Sequence, residues 1–163
     1  MPSIAPLVTE YRAYAAGYLA VGAAGAALDA EVRGEAGRSL GTFAVMSVIM
    51  LAVLGATNLR WLIGAARDAQ AAPADMDVEP PREILRRVAL ELLFVAALVT
   101  LGLAGKSGVG ALIAGMAFGT GLVNLAGWIW LTRTEGARRI TLYRDTPPRL
   151  VAMGRRPIRL RDR

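Results

Sequence analysis

The 163-residue chain is 55% hydrophobic and only 6% aromatic, with a formal charge of +6 and a single lysine among its 19 basic residues. It contains no cysteine and no histidine, which excludes disulfides, thiolate nucleophiles, His- or Cys-ligated metals and any Ser-His-Asp or Cys-His catalytic arrangement. The apolar residues are gathered into four long runs that carry few charges, a pattern a soluble core does not need.

The opening MPSIAPLVTEYR has no basic n-region and no early apolar stretch, so no cleavable signal peptide is expected. Residues 1–11 read as a short lead with an interfacial turn at Pro2 and Pro6. The first run, about 12–28, is mostly Ala and Gly and inserts poorly by itself. It is expected to be a lipid-shy helix held by its neighbours, its small residues permitting close backbone approach. Residues 29–38, DAEVRGEAGR, read as a polar loop.

The second run, about 39–61, is rich in Met, Val and Leu and leaves through Arg60 and Trp61, a cation that can snorkel and a ring suited to the headgroup level. Residues 66–82 are dominated by alanine, acid and three prolines, and read as a mobile linker. Pro81 then marks a helix start, carrying REILRR into the third run, about 86–105. A tight Gly-rich connection through Lys106 leads to the fourth run, about 108–132. The 26 residues Ser107–Thr132 carry no charge, and as a helix they reach roughly 39 Å against a hydrocarbon core of about 30 Å. Residues 133–163 form a basic tail with ten arginines, in which Ile140-Thr-Leu142-Tyr-Arg144 alternates as a short strand would and Pro147-Pro148 turns the chain.

The fold expected is therefore all-α: an integral membrane four-helix bundle of two helix hairpins. Sixteen basic residues fall on the side of the termini and the 60–87 segment, against Arg33, Arg38 and Lys106 on the other. The positive-inside rule puts both termini in the cytoplasm of a cell whose plasma (inner) membrane holds the bundle. Tyr11, Tyr14, Tyr18, Trp61, Trp128 and Trp130 fall at the same ends, as an aromatic belt would.

Four features invite a functional reading. Gly55-Ala-Thr-Asn58-Leu59 resembles Gly121-Leu-Val-Asn124-Leu125, as if one hairpin had been duplicated in parallel; Asn58 and Asn124 either hydrogen-bond across helices or meet interfacial water. Ala111, Gly115 and Gly119 form a small-residue stripe for close packing, against the first or third span or against a partner subunit. Glu91 is the one acid inside an apolar run. Four residues after Arg87, it is expected to be satisfied by that arginine, with proton or cation coupling as the alternative. Arg133, Arg138, Arg139, Arg155 and Arg156 are expected to meet anionic lipid headgroups, with the tail dispensable for the fold. No cofactor, metal or nucleic acid is expected; Tyr143 is the tail's one stacking residue.

The Gly115-xxx-Gly119 spacing with Asn124 and the entry REILRRVALELL resemble the ATP synthase protein I family, small membrane proteins encoded with the rotary synthase. Asn58-Leu-Arg60-Trp61 and Asn124 are similar to the GtrA-like proteins, small four-helix proteins linked to polyprenyl-phosphate sugar translocation. Both likenesses cover scattered positions and carry over no functional residue. The residues point to a non-enzymatic accessory or assembly subunit with a membrane-protein partner or a second copy of itself. A small dimeric proton-coupled transporter using Glu91 and a holin-like permeabilising protein are the alternatives.

Overall fold

The computed structural model describes residues 3–73, 76–105, 108–145 and 157–162. Four long helices account for most of them: α1 (Leu7–Arg33), α2 (Ala36–Arg67), α3 (Pro81–Ala104) and α4 (Val109–Arg138). Pro81 occupies the first turn of α3, where its missing N–H costs nothing. Gly34 closes α1 with φ 65°, its N–H donating to the Ala30 and Glu31 carbonyls, and Gly108 opens α4 at φ 79°. Two boundaries differ from expectation. The loop expected over 29–38 shrinks to Gly34–Glu35, because DAEVR continues α1 and only the left-handed glycine breaks it. At its other end α4 runs past Thr132 to Arg138, since nothing in RTEGAR interrupts a helix before Arg139 turns left-handed at φ 55°.

α1 and α4 form the close central pair, and α2 and α3 each pack on that pair without substantial contact with one another. Glycine sets the closeness. A Cβ on Gly22 would stand 2.7 Å from the Phe118 backbone nitrogen, and one on Gly121 would stand 2.8 Å from that of Leu19. The neighbouring stripe of α4 does the same for α2: a Cβ on Gly115 would meet the Phe43 carbonyl oxygen at 2.5 Å, and one on Gly119 that of Ser47 at 2.6 Å. The small-residue stripe therefore packs on the second span, not on the first or third. The first helix takes the stripe beside it, through Ala114, Phe118 and Gly121. Ser47 clips this contact, its hydroxyl donating to Phe43 in its own helix (2.8 Å) and to Gly115 across it (3.2 Å).

An all-α description is incomplete, because a five-stranded sheet closes one end of the bundle. Its strands are β1 (Ser3–Pro6), β2 (Gln70–Ala71), β3 (Asp77–Val78), β4 (Ile140–Asp145) and β5 (Ile158–Asp162), in the order β2-β5-β4-β1-β3. β4 is central, antiparallel to both β1 and β5; the two-residue strands β2 and β3 are parallel edges. The lead expected as a turn is a strand, and the segment expected as a mobile linker supplies both edges. The alternating segment of the tail forms β4 as its pattern indicates. Pro147 and Pro148 lie outside the described residues.

The largest fully buried side chains, among them Ile4, Leu7, Leu62, Ile84, Leu131 and Leu142, gather beneath this sheet. The helices farther away meet through Gly, Ala and Ser instead. Large exposed apolar side chains crowd α2 (Val45, Val48, Val53) and α3 (Leu90, Phe94, Leu101). α2, α3 and α4 are each long and apolar enough to cross a membrane; α1, diluted by alanine and glycine, is not counted with them.

Candidate functional site

The polar chemistry of the molecule is concentrated where α1, α3 and β4 converge under the sheet. α1 presents Glu10, Tyr14 and Tyr18 at four-residue intervals, one stripe of a helix. α3 presents Arg87 and Glu91 at the same interval. Both helices start at the sheet, so the stripes run side by side in the same direction. The β1–β4 pairing places Arg144 opposite Ala5, just before α1 begins.

Two linked clusters result. In the lower one, Glu10 is 2% exposed and its Oε1 receives both Arg87 (3.3 Å) and Arg144. Arg87 also holds Glu79, at 3.1 Å and 3.2 Å to the two carboxylate oxygens. Two acids and two guanidinium groups thus balance in a buried setting, where an unpaired charge would be costly. Burial alone would lower the pKa of Arg144, but the adjacent Glu10 carboxylate outweighs it and pushes the value up. The backbone locks the same corner, since the Glu79 N–H donates to the Ile4 carbonyl at 2.8 Å.

One turn higher, Glu91 lies between two phenols. The Tyr14 hydroxyl donates to its Oε2 at 2.7 Å and the Tyr18 hydroxyl to its Oε1 at 2.8 Å. The two rings stack with centroids 6.0 Å apart. The expected Glu91–Arg87 pair is not formed, because Arg87 turns toward two carboxylates at the foot of the bundle. Its place is taken by donors from another helix. Glu91 is consequently a hydrogen-bonded bridge between α1 and α3.

The remaining expected site residues separate. Asn124 donates to the Thr120 carbonyl of its own helix (2.9 Å), and Asn58 is exposed. Neither makes a bond across helices among the described residues. The two look-alike segments also differ in form, since Gly55–Leu59 is a π-turn within α2 while Gly121–Leu125 is regular helix. Ala111, Gly115 and Gly119 are buried packing positions. Arg133, Arg138 and Arg139 are exposed, and Arg155 and Arg156 lie outside the described residues.

Sequence reasoning missed Glu10, Glu79 and Arg144 as partners. The one available signal was the spacing of Glu10, Tyr14 and Tyr18, which matches that of Arg87 and Glu91. Comparison with known proteins adds no assignment: no family model, no curated protein and no solved structure matches the chain.

Proposed function

We propose that the chain is a non-enzymatic integral membrane protein of the plasma (inner) membrane, acting as an accessory or assembly subunit of a larger complex. Its sheet and both termini lie on the cytoplasmic side, in keeping with the excess of arginine at that end. The observation that carries this reading is the asymmetry of α2. Over residues 36–59 it touches the rest of the bundle through one narrow stripe around Ser39 and Ser47, its outer surface there being exposed valine, leucine and isoleucine ending in a π-turn, and only its last turns enter the core, through Leu62 and Ala66. A π-turn with open Gly55 and exposed Ala56, Thr57 and Asn58 gives a second helix a small, partly polar seat. The test is photo-crosslinking in intact membranes from Val48 and Val53, with Leu101 of α3 as control. One identified foreign membrane protein, captured from α2 and co-purified in fixed ratio in mild detergent, is expected. Capture of lipid alone, or only of a second copy, would refute the subunit reading.

One observation favours a second reading, a proton-coupled transporter. Glu91 is an acid within an apolar helix, and two phenol O–H groups from another helix hold its carboxylate.

A further inference from the structure

A cavity of about 380 Å³ opens between the last turns of α2 and α4, beside the sheet. Its wall includes Arg67 and Ile63 from α2 and Trp130, Arg133, Thr134 and Arg138 from α4. No acid lines it. The contrast with the rest of the molecule is what makes the site. Arg33, Arg87, Arg144 and Arg159 each hold a carboxylate, whereas Arg67, Arg133 and Arg138 form no ion pair among the described residues. A second cavity nearby, about 520 Å³, is lined by Asp68 and Arg159, so its charge is balanced.

We infer that the three-arginine cavity binds the phosphate of an anionic phospholipid. The inference rests on the membrane reading above and extends it to a specific ligand site. A phosphodiester offers two anionic oxygens to guanidinium forks, which bind such groups in planar, paired contacts. Trp130 supplies a ring of the kind that favours the headgroup level, and Ile63 and Ala66 supply an apolar wall for the first carbons of an acyl chain. The volume falls within the range of small-ligand sites. Because α2 gives one arginine and α4 two, the bound headgroup spans two helices beside the Leu62–Leu131 core that joins their last turns.

The experiment uses the full chain in mild detergent and reads bound lipid by native mass spectrometry. Phosphatidylglycerol, phosphatidylcholine and inorganic phosphate are the probes, and circular dichroism and melting check the fold of each variant. Phosphatidylglycerol should bind in preference to phosphatidylcholine, and inorganic phosphate should fail to displace it. Arg67→Gln/Arg133→Gln should weaken phosphatidylglycerol about twenty-five-fold, taking about fivefold per arginine near a phosphate. Arg82→Gln/Arg86→Gln removes the same charge from exposed positions of α3 and should change binding by less than about twofold. Equal losses in the two double variants would show general surface attraction and overturn the site. Displacement by inorganic phosphate would overturn the lipid as its source. Carbonate extraction separates the two levels: a chain that leaves the membrane refutes the membrane reading, and one that stays without preferring phosphatidylglycerol refutes this inference alone.

Discussion

Arg144, in the strand after the last helix, pairs with Glu10 in the first turn of the first helix. That contact ties the two ends of the chain together across the foot of the bundle, and Arg87 brings in the third helix. Arg144→Leu leaves a carboxylate that is 2% exposed with only one cation. We expect a loss of about 3 kcal/mol, the range for removing one partner of a buried pair. Thermal unfolding in detergent measures it. Glu10→Gln combined with Arg144→Leu should be less damaging than Arg144→Leu alone; strict additivity would show that the two residues act separately.

The basic tail was expected to be dispensable for the fold, and the structure reverses this. Leu142 is fully buried, its N–H is received by Glu135 at 2.8 Å, and β4 is the middle strand of the sheet. Removing residues 140–163 should therefore destabilise the bundle, lowering the melting temperature and exposing Leu62 and Leu131 to protease-accessible fluctuation. A truncated chain that melts at the temperature of the full one would contradict the capping role.

Glycines divide into two classes that substitution will separate. Gly119→Leu forces a side chain into the Ser47 carbonyl and should cost at least about 2 kcal/mol by overpacking. Gly41→Ala, also helical but with nothing nearby, should instead stabilise by about 0.5–1 kcal/mol. Parallel melts of the two variants test the proposed α2–α4 contact without reference to function.

Glu91 separates the two functional readings. If it is a bridge, Tyr14→Phe and Tyr18→Phe each cost about 1 kcal/mol, the net worth of one hydrogen bond, and Glu91→Gln costs about the same. Vesicles loaded with an internal pH dye should then show no proton flux for wild type or Glu91→Gln. A flux present in wild type and lost in Glu91→Gln, with the melting temperature preserved, would establish the transporter reading instead.

Sidedness is open to direct measurement. Cytoplasmic reporters fused after Gln70 and after Arg163 should both be active, and one inserted at the Gly34 turn inactive. Activity at Gly34 would mean that α1 does not cross.

The helices were legible because apolar runs, Pro81 and Gly34 are local signals. Partners were harder. Four-residue spacing brought Arg87 and Glu91 onto one face, yet spacing within a helix cannot reveal that Tyr14 and Tyr18 approach from another. The stripe of Gly115 and Gly119 was visible, but its neighbour depended on which side of α4 faces α1, a choice made by Ala114 and Gly121. The sheet was least legible: β2 and β3 are two residues long and pair with strands far away in sequence, so they carry no periodicity to detect. β4 is long enough for alternation to show, and so is β5, whose Ile158-Arg159-Leu160-Arg161 alternates as well.

The strand order has a consequence for synthesis. β1 is made before any of the four helices, but its antiparallel neighbour β4 begins at Ile140, after all four have been made. Until then the edge of β1 toward β4 is unpaired, and Glu10 has Arg87 as its one partner. Closure of the sheet therefore reports that translation has passed β4 and β5, with every helix of the bundle already made. A nascent chain stalled before that point presents an open strand edge to chaperones and proteases, a marker of incompleteness that the finished protein has folded away.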